Sequence, residues 1–114
     1  MPGRLLAAEI TREKLFLNLH QEIPYGCAVV TDEWKDLKDG SARISQTVLV
    51  TRENHRPIVL GEGGGKIKKI GEQSRKELRD LLGRDVHLFL HVKVDENWRN
   101  DRGFFSNWGL NFNA

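Results

Sequence analysis

The chain carries a single cysteine, Cys27, so no internal disulfide can staple it. The residue reads most simply as a small strand position in a reducing compartment. No apolar run approaches the roughly 18 residues a membrane-spanning helix needs, and the start lacks a secretory signal pattern. There is no internal repeat and no low-complexity stretch. At 114 residues, 39% apolar and 30% charged, one globular domain with a core of its own is expected. Net charge is also scarce, at +2, but its distribution is uneven. Residues 22–40 hold two basic side chains, Lys35 and Lys38, against five acidic ones. Residues 64–79 hold six basic ones (Lys66, Lys68, Lys69, Arg75, Lys76 and Arg79) against two acidic ones. A small total therefore conceals one basic face.

Catalytic constellations are missing as well. No Ser/His/Asp or Cys/His set has a convincing spacing, and the paired carboxylates Asp32 and Glu33 have no partner in view. His87 and His91 invite a metal reading. On a strand, four residues separate them by about 13 Å, too far to share one zinc. The expectation is a chain with no enzymatic site, no metal and no cofactor of its own.

The apolar pattern is richer. Residues 4–19 lack internal Gly and Pro and read as a helix, with Leu6, Ile10 and Leu17 on one face and Leu5 and Phe16 at its edge. Leu15 and Leu19 fall off that face. One is expected to pack on a sheet and the other to face a neighbouring domain or its linker. "EIPYG" ends the helix, because Ile23 precedes Pro24. Strands are expected at 27–37 and 42–50, joined by a turn at Asp39-Gly40. A short helix opened by Thr51 follows, then a long helix from Gly64 or Gly65 to Leu82. Ile67, Ile70, Leu78, Leu81 and Leu82 supply its apolar positions, and Gly83 caps its end. Residues 85–94 form the clearest strand, with Val86, Leu88, Leu90, Val92 and Val94 pointing one way. Residues 95–114 are polar and include Trp98, Phe104, Phe105, Trp108 and Phe112; the first four read as packing residues, with base stacking as the alternative. The order α-β-β-α-α-β implies an α+β sandwich: a three-stranded sheet with helices packed on one face. The domain is expected to span 1–102, with a flexible tail at 103–114.

The stretch "VLGEGGGKIKKIG" (59–71) decides between two kinds of phosphate ligand. A Walker loop is excluded, since Leu60 stands where its first Gly should be and Ile67 where its Ser or Thr should be. A dinucleotide fingerprint is excluded because its third Gly would fall at Lys66. What fits is an apolar pair, Gly-x-x-Gly, and a basic helix. Glycine lets a sugar-phosphate chain approach the backbone, and a helix N-terminus favours anions. A GXXG loop of this kind clamps single-stranded RNA in KH modules. The candidate site is Gly61, Glu62, Gly63 and Gly64 as the backbone clamp, Lys66 and Lys69 as phosphate partners, and Val59, Leu60, Ile67 and Ile70 as an apolar groove for bases. Both Gly61 and Gly64 are expected to accept Asp without harm to the fold.

Three blocks carry a closer likeness: "RLLAAEITREKLFLNLHQEIPYG" (4–26), "VLGEGGGKIKKIGEQSRKEL" (59–78) and "VHLFLHVKVDENW" (86–98). Together they resemble the C-terminal, type II KH domain of the Era family of bacterial GTPases, over roughly residues 4–102 and in the family's order. The resemblance implies RNA binding at the 3′ end of small-subunit ribosomal RNA in ribosome assembly, with the small subunit as partner and no DNA specificity. It also implies a longer parent with a GTPase domain, where GTP and magnesium would bind. The implied location is cytoplasmic, with a peripheral place at the inner membrane open to the full-length protein. The chain departs from the family at the loop. Era-like loops tend to carry a cation at the place of Gly63, and here the pair is Glu62-Gly63. A KH-fold protein docking module and the KH domain of another RNA-binding protein are the alternatives.

Overall fold

The computed structural model describes residues 3–19 and 27–96. Helix α1 is Gly3–Leu19, followed by strands β1 (Cys27–Asp36) and β2 (Ala42–Val50). Helix α2 (His55–Leu60), a single 3-10 turn (Glu62–Gly64), helix α3 (Gly65–Leu82) and strand β3 (Val86–Val94) complete the order. The α-β-β-α-α-β reading is what the chain does. The sheet runs β1-β2-β3, with β1 and β2 antiparallel and β2 and β3 parallel. A parallel pair needs a long crossover, and α2 and α3 supply it.

Alternation sets the sheet's two faces. Cys27, Val29, Ile44, Val48, Val50 and Val86 are buried, whereas His87, Phe89, His91 and Lys93 are exposed on the other face. The buried side packs in two patches. Leu15, Leu19, Val29, Val48, Val50, Val59 and Ile70 make one, and Ala7, Ile10, Ile44, Leu78 and Val86 the other. Between β1 and β2 the register shifts across Thr31 and Glu33, a bulge at Asp32. At the hairpin Gly40 takes φ 92°. Asp39 contributes through its carboxylate, which accepts from Ser41 N at 2.9 Å.

Three local expectations are corrected. Leu15 and Leu19 are 0% and 1% exposed, while Leu17 is 60% exposed and Phe16 lies at the surface. The inward arc of α1 is centred on Ala7, Thr11 and Leu15, because the helix rests on the sheet and also against α3. Small residues and a threonine therefore count as interior. With both leucines enclosed, neither faces a neighbouring domain. Leu81 is 57% exposed and lies off the inner face of α3, where Leu78 is buried and Leu82 partly so. Thr51 does not open α2. It is buried, with its hydroxyl 3.5 Å from His55 Nδ1, and Asn54 takes the N-cap position without a side-chain bond. Pro57 stands at the third position of α2, where a missing N–H costs no helical bond. Gly83 closes α3 at φ 70°, donating to Arg79 O at 2.8 Å, as the sequence pattern requires.

The "EIPYG" helix stop, the C-terminal aromatics from Trp98 onward and the proposed boundary at residue 102 lie outside the described residues.

Candidate nucleic-acid interface

The loop between α2 and α3 is built from glycine backbone. Gly61 has φ 74° and ψ 173°, a region open to glycine alone. Gly63 (φ 62°, ψ 20°) and Gly64 (φ 76°, ψ 12°) are both left-handed. The three are not equivalent. A Cβ on Gly61 would stand 2.5 Å from Lys66 Cβ and 2.8 Å from Lys66 N. The loop thus folds back on the first turn of α3, and the expectation that Gly61 accepts Asp without harm is wrong. Gly63 and Gly64 have nothing within 4 Å of a built Cβ and present open backbone.

Helix α3 begins with no side-chain cap and no acidic residue in its first turn. Lys66 and Lys68 sit there instead, at the end where the macrodipole disfavours cations. A bound anion would relieve that repulsion by meeting the positive end of the helix dipole.

Past the loop, α3 and β3 enclose an open cleft of about 350 Å³, lined by Ile67, Lys68, Gly71, Glu72, Arg75 and residues 88–91. Its β3 wall is a sheet edge. Asp95 N donates to Val50 O at 2.8 Å, so odd-numbered backbone groups turn toward β2. Arg56 Nη2 donates to the carbonyl of Val92 at 3.2 Å from the opposite side. By strand alternation, the N–H and C=O of Leu88 and Leu90 face the cleft, with no strand beyond them among the described residues. The cleft therefore offers cations at its loop end, apolar walls, and a row of donors and acceptors matching the edge of a base. At its far end Arg75 donates to Glu72 at 2.8 Å and holds that carboxyl below its ordinary range.

Among the residues named from sequence, Gly61, Glu62, Gly63, Gly64, Lys66 and Ile67 come together at the loop end. Leu60 is half-buried behind them. Val59 and Ile70 are fully enclosed, so they form the core beneath the groove and not its wall. Lys69 is on the other side of α3. It lines a separate furrow of about 580 Å³ against α1, beside Leu17, Asn18, Gln73 and Lys76. One residue is 100° of helix, and Lys68 is the lysine that faces the cleft. The sequence placed Lys68 and Arg75 in the basic face after the loop but not in the site itself, and it gave no signal for Gly71, the β3 edge or Arg56, whose bond to Val92 depends on how α2 lies against β3. His87 and His91 are exposed on β3. Among the described residues no group of three His, Cys, Asp or Glu is placed to hold a metal ion. No described helix is long and apolar enough to cross a membrane. Burial raises the Cys27 thiol above its ordinary pKa, as suits an inert core position.

The family description of the KH domain matches residues 22–99. Over all 114 residues the chain is 58% identical to the GTPase Era of Caulobacter vibrioides and 56% identical to that of Maricaulis maris. In each case it covers 36% of the relative's length, so it spans about a third of these relatives. Its fold superimposes with a TM-score of 0.89 and 40% identity on two solved chains, covering 96% of this chain and 37% of theirs. One is an Aquifex aeolicus Era variant bound to GDP and aluminium fluoride. The other is Era in complex with MgGDPNP and nucleotides 1506–1542 of 16S ribosomal RNA.

Proposed function

The chain belongs to the KH domain family, and from that premise we propose that it binds single-stranded RNA in the α3–β3 cleft, as the KH domain of an Era-like GTPase acting on small-subunit ribosomal RNA in ribosome assembly. The observation that carries this reading is one of placement. Ile67 and Lys68 in the first turn of α3 line one cleft with the edge of β3, and the open glycine backbone at Gly63 and Gly64 lies just before them in the chain. Phosphates would lie at Gly63, Gly64, Lys66 and Lys68, with bases against Ile67 and the Leu88–Leu90 backbone. The solved Era complex with 16S ribosomal RNA supports the 3′ end of that RNA as ligand. The named relatives, all GTPases Era, favour that parent over a stand-alone KH protein. GTP hydrolysis, with its nucleotide and magnesium, is assigned to the part of the relatives that this chain does not span. The GTPase domain and the small subunit are then partners, and the setting is cytoplasmic.

Glu62 favours a second reading, protein docking, because it is an exposed carboxylate in the loop and Gly63 supplies no cation. A charge reversal separates the two. With RNA in the cleft, Glu62→Lys adds a phosphate contact and steepens the slope of log affinity against log salt by about 0.7. The gain is nearly independent of base sequence. Glu33→Lys, exposed on β1 at the opposite edge of the sheet, is the control. Asp36 on the same strand is unsuitable, since Arg84 and Trp34 both donate to it. Fluorescence titrations of labelled ribosomal 3′-end RNA at several salt concentrations read the result. Equal effects from the two lysines, or no RNA binding by any variant, would leave docking as the better account.

A further inference from the structure

The described helices pack on one side of the sheet. The other side of β2 and β3 carries Arg43, Ser45, Thr47 and Leu49 in register with His87, Phe89, His91 and Lys93. Leu49 is buried with Ala28 in a small cluster at the Cys27 end of this face. The rest is open. His87, Phe89, His91 and Lys93 are all exposed, Phe89 at 45%. Arg43 places its guanidinium over the Phe89 ring, 5.2 Å from the centroid. One guanidinium covers one face of a ring and leaves the other free. Charge on this half of the face has one sign. No carboxylate stands on this side of β2 or β3, and neither Arg43 nor Lys93 has an ion-pair partner among the described residues. The acids of the face, Asp32 and Glu33, stand on β1, two strand spacings or about 9.5 Å from β3. Asp32 is engaged there by the Thr47 hydroxyl, and Asp39, in the turn beside His87, by Ser41.

Two observations point to what this half of the face fits. The first is spacing. Alternate residues of a strand stand about 6.6 Å apart. The ring-bearing side chains of His87, Phe89 and His91 therefore follow one another at close to twice the roughly 3.4 Å rise of stacked bases. Each interval has room for one base between two rings. The second is continuity. Phe89 and His91 also line the α3–β3 cleft, so cleft and outer face share β3 as a common rim. A single strand lying in the cleft has only to pass over β3 to reach Arg43 and Lys93. We propose that the solvent-facing side of β2 and β3 is a second RNA-contact surface, in which His87, Phe89 and His91 stack bases that leave the cleft and Arg43 and Lys93 meet their phosphates. The proposal rests on the RNA reading above. It differs in taking nucleotides outside the clamped segment, by stacking and charge with no loop involved, so its contacts tolerate any base.

The test uses the whole chain and two dye-labelled RNAs of the small-subunit 3′ end. The short one has about four nucleotides, the length a GXXG loop clamps, and is read by competition where direct binding is weak. The long one carries roughly four more nucleotides on each side. Variants are chosen among residues that do not line the cleft, His87→Ala and the pair Arg43→Ala, Lys93→Ala, with Phe89→Tyr and Phe89→Leu beside them. All should melt within about 3 °C of wild type. The Arg43, Lys93 pair is expected to bind the long RNA roughly tenfold more weakly and to lower its salt slope by about 1.4, at about 0.7 for each phosphate. His87→Ala should weaken the long RNA several-fold with the slope unchanged, and Phe89→Leu likewise, whereas Phe89→Tyr, which keeps the ring, binds as wild type. Neither His87→Ala nor the Arg43, Lys93 pair should alter binding of the short RNA. Wild-type affinity of both for the long RNA overturns the proposal, and so does an equal loss on long and short. Melting temperatures that fall while long-RNA affinity holds would assign the face to packing against the chain's own residues, which also overturns it. Gly63→Asp separates this result from the cleft. If Gly63→Asp loses both RNAs while the face variants lose neither, the cleft binds RNA and the outer face does not. If Gly63→Asp binds both as wild type, the RNA reading falls and the proposal with it.

Discussion

Replacing Gly63 and Gly64 together by Asp is expected to weaken RNA binding by more than about a hundredfold while the protein remains folded at 25 °C. Both residues are left-handed, with no heavy atom within 4 Å of a built Cβ, so the side chains meet no obstacle. The backbone cost of a non-glycine residue there is about 1 kcal/mol each, and Asp is among the residues that tolerate it best. The melting temperature should fall by roughly 10 °C. Binding suffers more. Two carboxylates placed where phosphates lie, at about 4 Å and a surface dielectric, oppose the ligand by about 3 kcal/mol in sum. The paired variant Gly63→Asn, Gly64→Asn carries the same backbone cost without the charge. It should melt with the Asp pair yet bind much closer to wild type. If the Asn and Asp pairs bind equally, charge at the loop is irrelevant and the phosphates lie elsewhere. Gly61→Ala should behave differently from both, because its Cβ runs into Lys66. It is expected to cost about 3 kcal/mol of stability, in proportion to a strained conformation and a forced shift.

The contrast between Gly61 and its neighbours marks what the sequence can and cannot reveal. The glycine spacing, the basic run after it, the cap at Gly83 and the alternation of β3 are local patterns, with a period or a punctuating residue behind each. They are legible because their causes lie within a few positions of chain. What was illegible depended on the rotational phase of a helix against the rest of the molecule. Lys68 and Lys69 are equivalent in sequence. They separate only because Ile70 and Leu78 commit one face of α3 to the sheet, which turns Lys68 to the cleft and Lys69 to α1. The same cause misled the reading of α1, where contact with both sheet and α3 widens the buried arc to include Ala7 and Thr11. The cleft's second wall could not be read at all. It comes from β3, some twenty residues beyond the loop in sequence, lying at the edge of the sheet next to α3.

One residue was visible in the pattern without its consequence being so: Gln46, which interrupts the apolar series Ile44, Val48, Val50 on β2. It is 0% exposed on the central strand, and its amide is satisfied on both sides. Thr11 Oγ1 donates to Gln46 Oε1 at 2.6 Å, and Gln46 Nε2 donates to Thr31 Oγ1 at 3.2 Å. Thr31 Oγ1 in turn donates to the carbonyl of Arg4 at 2.8 Å. The amide thus ties α1 to β1 and β2 through the middle of the core and fixes where along the sheet the helix rests. Gln46→Ala removes a buried volume and strands the Thr11 hydroxyl. The sum is expected to be about 3 kcal/mol, a melting temperature lower by roughly 10–20 °C. Gln46→Leu keeps the volume and should lose only about 1–2 kcal/mol, chiefly through Thr11, since Thr31 retains its bond to Arg4. Adding Thr11→Val to Gln46→Leu removes the stranded hydroxyl and should recover most of that loss. RNA affinity measured well below the melting point should be unchanged in all three, because α1 contributes no residue to the α3–β3 cleft. Thermal melts followed by circular dichroism, with titrations at 15 °C beside them, read both quantities. A Gln46→Ala variant melting within 3 °C of wild type would mean the amide is not enclosed as described. A double variant less stable than Gln46→Leu alone would mean that Thr11 finds another partner once the amide is gone.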